Sequence, residues 1–93
     1  MIDAESAREI VRDALRHAED GSGVRCVLVG ETLDYGAWWV QGYQSEAFAV
    51  HGDAFQALAG NGPYVIPKNG DAVFTLSSAE PVDEQMARLA AAG

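Results

Sequence analysis

Few side chains in this sequence combine a chemically useful type with a useful spacing. His51 and Asp53 stand two residues apart, and an imidazole beside a carboxylate can serve acid–base chemistry or metal binding. A metal site usually needs three or four ligands, and no further histidine stands nearby. Cys26 alternates with Val24 and Leu28, which predicts a small packed hydrophobe, although a cysteine–histidine nucleophile stays open. The sequence therefore predicts no catalytic residue, no metal site and no cofactor.

The most specialised segment is a loop formed by Gly60, Asn61, Gly62 and Pro63. Glycine and asparagine reach positive φ most readily, and Pro63 pushes Gly62 toward an extended conformation. The loop lacks the Lys-Ser/Thr pair and the following helix that a phosphate-binding loop requires. We therefore interpret it as a structural corner that starts the last hairpin.

Composition narrows the classes of partner. The 93 residues include 14 acidic and 6 basic side chains, giving a formal net charge of -8. This balance disfavours nucleic acid and anionic membranes, which bind through lysine and arginine, and it favours a basic partner. The same charge also simply promotes solubility. A single cysteine, no basic and apolar leader and no run of membrane length together predict a cytoplasmic protein.

The elements that position these residues follow from hydrophobic periodicity. Residues 3–18 predict an amphipathic helix capped by Asp3, and residues 81–91 predict a closing helix that begins at Pro81. Between them, β-rich runs at 24–29, 37–44, 64–66 and 72–76 predict strands. We expect one α+β domain over 1–93: an N-terminal helix, an antiparallel meander sheet of four to five strands and a C-terminal helix. Both helices are expected on one sheet face.

Four local details accompany this prediction. Residues 31–36 predict a turn region, and residues 46–50 predict a bent continuation of the second strand. Residues 53–59 predict one or two helical turns capped by Asp53. Asn69-Gly70 between apolar runs predicts a hairpin with a type I′ turn, which needs positive φ at both central residues.

The order of several motifs along this chain is similar to the order found in a known family. The run Trp39-Val40-Gln41-Gly42-Tyr43-Gln44-Ser45 comes first, and Phe48 and Gly52-Asp53 follow it. Next come Ala57-Leu58-Ala59-Gly60-Asn61-Gly62-Pro63, a short hairpin and Ala79-Glu80-Pro81. Together they resemble the immunity protein 35 domain family, which includes YrhB-like small bacterial proteins, over residues 39–86. Pro67, in place of the family's aspartate, and Ser77-Ser78, in place of its glycine-threonine, depart from the pattern at the hairpin and its exit.

The resemblance implies a non-enzymatic cytoplasmic protein that binds and neutralises a cognate bacterial toxin. A basic toxin suits the acidic charge. Trp38 and Trp39 are adjacent in a strand and point to opposite faces, so at least one lies away from the helix-covered face unless a loop shields it. We expect partner contacts from Trp38, Tyr43, Glu46 and Asp53.

Two rival hypotheses stay open. YrhB-like relatives imply a chaperone-like protein that suppresses client aggregation. A small enzyme that uses His51 and Asp53 is the third hypothesis. The oligomeric state does not follow from the sequence.

Overall fold

A meander sheet with a helix at each end of the chain forms the fold. The computed structural model describes residues 1–52 and 62–92. The elements in chain order are α1 (Ala4–Ser22), β1 (Cys26–Asp34), β2 (Trp38–Ser45), α2 (Glu46–His51), β3 (Tyr64–Pro67), β4 (Phe74–Thr75) and α3 (Val82–Ala92). The strands pair antiparallel in the order β1-β2-β3-β4. The predicted α+β class, the terminal helices and the antiparallel meander are confirmed.

Helix α1 begins and ends where its sequence signals predict. The Asp3 side chain accepts a hydrogen bond from the Ser6 amide, and Gly23 ends the helix in the left-handed conformation with φ 74°. Ala7, Val11 and Leu15 form its buried stripe. This stripe packs with Ile66 and the half-buried Trp39, which donates its indole N–H to the Ile2 carbonyl at 2.8 Å.

The prediction that both helices share one sheet face is wrong. Helix α1 packs on the face that carries Ile66, whereas α3 packs through Met86 on the face that carries Val40 and Val65. Val65 and Ile66 are neighbours in β3 and both are fully buried, so this strand is apolar on both sides. A sheet with two apolar faces needs cover on both, and the helices therefore lie on opposite faces.

The predicted bent strand over 46–50 is also wrong, because these residues form α2. Ser45 caps the helix by accepting a hydrogen bond from the Phe48 amide at 3.3 Å, and Gly52 ends it with φ 69°. The cap and the left-handed glycine favour a helical turn more than the alternating apolar residues favour a strand. The expected helical turns over 53–59 lie outside the described residues.

Both hairpins differ from their predictions in detail. Strand β1 runs through the expected turn region to Asp34, and the first turn comes at 35–37. In the second hairpin Gly70 has φ 91°, but Asn69 does not have positive φ, so the type I′ turn is wrong. Instead, the Gly70 amide donates to the Pro67 carbonyl, and the Asn69 side chain accepts from the Asp71 amide. The hydrogen bond from the Asp71 amide to the Asn69 side chain thus stabilises a turn other than the type I′ turn that the Asn-Gly dipeptide favours.

Candidate functional site

The two aromatic residues expected to bind a partner lie on opposite faces of the sheet. Trp38 is half-buried against the cluster beneath α3, whereas Tyr43 packs against the cluster beneath α1. The Tyr43 ring centroid lies 5.1 Å from that of Tyr64. Burial, and secondarily the neighbouring Tyr64, raises the pKa of Tyr43. These positions make Trp38 and Tyr43 parts of two separate packed layers.

Of the two acidic residues expected beside them, only Glu46 lies within the described residues. Glu46 lies in the first turn of α2, and its carboxylate is 3.6 Å from the Arg25 guanidinium. Asp53 lies outside the described residues, as do Gly60 and Asn61 of the loop. Trp38, Tyr43 and Glu46 therefore do not form one contact surface in the described part of the chain.

The cysteine and the two histidines were the other candidates for chemistry. Cys26 is half-buried against the α1 cluster, and burial, with a smaller contribution from Glu19, raises the pKa of its thiol. The His17 ring contacts the Asp13 carbonyl at 2.8 Å, and His51 is exposed at the end of α2. Over residues 1–52 and 62–92, no three His, Cys, Asp or Glu side chains come close enough to bind a metal ion. No helix in these ranges has the length and apolar character needed to cross a bilayer.

Gly62 of the corner loop makes an unusually close backbone approach. A Cβ added there would lie 1.8 Å from the Leu76 carbonyl oxygen and 2.4 Å from its carbon. The Leu76 amide donates to the Pro63 carbonyl at 3.0 Å. Gly62 and Pro63 thus join the entry of β3 to the exit of β4, at a spacing that only glycine permits.

An apolar groove lies on the α3 face, along edge strand β1. It has a volume of about 400 Å3, and we call it the β1 groove, defined by Val29, Glu31, Leu33, Tyr35, Val40 and Val82. Tyr43, which the sequence predicts as a partner contact, also contributes to its lining. Val29 and Leu33 are 39% and 46% exposed, which is high for large aliphatic side chains. Their register partners, Gly42 and Val40, lie on the same face. The groove is therefore an accessible apolar surface beside α3.

Charge distinguishes this groove from a second depression. The second one, about 470 Å3 between α1 and β1, has Arg12, Arg16 and Arg25 in its lining. Among the described residues that line the β1 groove none is basic.

One acidic side chain, Glu31, lines the β1 groove, a second, Asp83, bonds its lining residue Tyr35, and a third, Asp34, lies on the opposite sheet face with Trp39. Glu31 is exposed and has no hydrogen bond or ion pair within residues 1–52 and 62–92. The Tyr35 hydroxyl donates to Asp83, and this bond raises the pKa of Tyr35. A hydrogen bond from Lys68, at 2.6 Å, lowers the pKa of Asp34. The groove therefore offers apolar contact next to one unpaired carboxylate.

Sequence reasoning missed Gln41, which shapes this surface from beneath. Its side chain is fully buried, and its amide nitrogen donates to the Val29 and Gly42 carbonyls, both at 3.0 Å. Its amide oxygen accepts from the Thr32 hydroxyl at 2.6 Å. Alternation along β2 could have identified it. Gln41 lies between Trp39 and Tyr43 on a core-facing row, where a polar side chain requires buried hydrogen-bond partners.

Comparison with known proteins agrees with the motif order. The family model for immunity protein 35 matches residues 5–88, which adds α1 and β1 to the segment that the motifs cover. No curated protein and no solved structure matches the chain. Because the match spans nearly the whole chain, the protein belongs to the immunity protein 35 family.

Proposed function

We propose that this chain is a non-enzymatic, cytoplasmic immunity protein that binds a cognate bacterial toxin through the β1 groove. The observation that carries the proposal is the groove itself, in which exposed Val29 and Leu33 lie beside Glu31, with no ion pair to Glu31 and no basic lining residue among residues 1–52 and 62–92. Family membership supports a toxin as the partner. Binding alone is enough to block a toxin, so the proposal requires no catalytic group.

The apolar part of the groove supplies affinity. Removal of apolar surface from water is the main favourable contribution to most protein association, and exposed Val29 and Leu33 have surface left to bury. Contact residues of this kind are most effective at the centre of an interface, where water is excluded. We therefore place Leu33, the more exposed of the two, near the centre of the contact.

The acidic balance favours a basic toxin surface. Residues 26–93 contain eight acidic and two basic side chains, whereas residues 1–25 contain six and four. The excess therefore lies on the part of the chain that includes the groove. Such a field accelerates encounter with a basic partner and disfavours acidic ones.

The test uses the toxin domain encoded beside this gene, with binding measured by calorimetry and protection measured in cells that express the toxin. We expect Leu33→Asp to weaken binding at least tenfold, about 1.4 kcal/mol, because the complex would bury an unpaired carboxylate. Val50→Asp is the matched control, since Val50 is 64% exposed on α2 and lies outside the groove lining.

Two results would contradict the proposal. If the wild-type protein neither binds nor protects against any toxin encoded beside it, the immunity function is wrong. If Leu33→Asp binds as tightly as wild type and Val50→Asp does not, the function stands but the groove is the wrong surface.

A chaperone-like activity is the second candidate, favoured by exposed apolar side chains outside the groove. Phe48 and Val50 of α2 are 39% and 64% exposed, and Phe74 of β4 is 37% exposed. A chaperone would suppress aggregation of several unrelated heated proteins at similar ratios. Our proposal predicts no suppression of such clients at equimolar concentration, as light scattering would show.

A further inference from the structure

We infer that Glu31 determines specificity by pairing with a lysine or arginine of the toxin, and that Gln41 is the residue that positions it. This inference rests on the proposed function and names the chemistry that the β1 groove recognises. It follows from the irregular register of β1 against β2, from the buried position of Gln41 and from the exposure of Glu31.

A bulge in β1 presents Glu31. Val29 pairs with Gly42 and Leu33 pairs with Val40, so residues 30–32 stand opposite Gln41 alone. Gly30 adopts φ 72°, a conformation that a glycine takes without strain. Bulges re-aim side chains and interrupt the continuous edge that an added strand would need. The partner therefore meets side chains at this edge, with Glu31 between Val29 and Leu33.

The Gln41 side chain holds both ends of this bulge. It donates to the Val29 carbonyl at 3.0 Å and accepts from the Thr32 hydroxyl at 2.6 Å, so one amide spans the residues on either side of Glu31. Arg8 of α1 extends the network by donating to the Thr32 hydroxyl oxygen at 3.2 Å. Because Gln41 is fully buried, its rotamer is fixed by packing, and the bulge is preorganised before any partner arrives.

The geometry selects a long basic side chain as the partner of Glu31. Lysine and arginine carry an apolar stem beneath a charged head. The stem can cover Val29 and Leu33 while the head pairs with the Glu31 carboxylate, so both parts of the groove are used at once. An acidic side chain would meet Glu31 unfavourably, and a small polar one would leave the aliphatic surface wet.

A double-mutant cycle against the toxin domain encoded beside the gene tests both roles. We expect Glu31→Gln to weaken binding at least fivefold and to reduce the dependence of log Kd on log salt concentration. Gln41→Ala should weaken binding similarly. The double variant should bind within about twofold of either single variant, because both substitutions remove one interaction.

Gln85 provides the matched control. It is also a buried glutamine, 8% exposed, and it hydrogen-bonds the backbone of Ser77 and Glu80 rather than β1. The effects of Gln85→Ala and Glu31→Gln on affinity should multiply. If Gln41→Ala does not fold, Thr32→Val replaces it in the cycle. Thr32→Val removes only the hydrogen bond from the Thr32 hydroxyl to the Gln41 amide oxygen.

The outcomes separate this inference from the proposed function. Binding that persists unchanged in Glu31→Gln, with the same salt dependence, would overturn the role of Glu31. Multiplying effects of Gln41→Ala and Glu31→Gln would overturn the positioning role of Gln41. In both cases the wild-type protein still binds its toxin, and the Leu33→Asp result stands independently.

Discussion

At the residue scale, position 62 requires glycine because of a close contact rather than because of a positive φ. Its φ is not positive, yet an added methyl group would overlap the Leu76 carbonyl. The nearest atoms belong to the backbone, which cannot move aside as a flexible side chain can. Gly62 and Pro63 therefore fix how β3 and β4 meet, and the architectural role of the whole loop stays a prediction.

We expect Gly62→Ala to destabilise the protein by about 3 kcal/mol, because the overlap forces the backbone of the last hairpin to shift. Urea unfolding measures the change. Gly21→Ala is the matched control, since Gly21 lies within α1 and has no atom within 4 Å of the added Cβ. It should be neutral or stabilise by up to about 1 kcal/mol. Equal stability of the two variants would contradict the close approach.

At the element scale, capping residues decide where the helices begin. Asp3 starts α1 and Ser45 starts α2, each through one side-chain bond to an amide three residues on. The Ser6 amide is the main reason that the pKa of Asp3 is lowered in the folded protein. This cap thus links the stability of α1 to pH.

We expect Asp3→Ala to be less stable than wild type at neutral pH, with the difference disappearing in acid. The folded pKa of Asp3 lies below its ordinary value of 3.8, so its contribution is complete above that value. It is lost as the pH falls through the folded pKa. Chemical denaturation between pH 2 and 7, in the range set by carboxylate titration, measures this.

Asp3→Asn separates the cap from the charge. Asparagine caps helices as well as aspartate does but does not titrate. This variant should stay close to wild type at pH 7 and show no acid-dependent loss from this position. A pH-independent deficit in Asp3→Ala would mean that the ionised carboxylate contributes nothing to the cap.

At the scale of the whole molecule, one sheet joins two apolar clusters. Val11 and Ile66 belong to the cluster beneath α1, and Val65 and Met86 belong to the cluster beneath α3. Adjacent residues of β3 serve both clusters, so neither can lose its packing without disturbing the strand they share. A chain of this size is therefore expected to unfold as one cooperative unit.

The two tryptophans test this expectation. Trp38 touches the α3 cluster and Trp39 touches the α1 cluster. Within each of the Trp38→Phe and Trp39→Phe backgrounds, fluorescence of the remaining tryptophan and far-UV circular dichroism should report the same urea midpoint. Adding Met86→Ala should lower both midpoints together, with a loss of about 2–5 kcal/mol in the free energy of unfolding, since Met86 is only 2% exposed. Loss of the Trp38 signal alone would show that α3 unfolds separately.

The local features of the fold and the family membership follow from residue types and their order along the chain. Helix periodicity, the Asp3 cap, the main strands and the motif order each depend on residues close together in the chain, and the structure and the family match confirm them. The α2 segment was misjudged because short apolar runs do not distinguish a strand from a helix.

How the two faces of the sheet are used depends on contacts between distant parts of the chain. The face that α3 covers, the bulge opposite Gln41 and the β1 groove all depend on pairings between distant segments. Periodicity shows that a strand has an apolar face but does not show which helix will cover it. The groove is the part of the α3 face at β1 that stays accessible, so it becomes visible only once α3 has packed on Val40 and Val65.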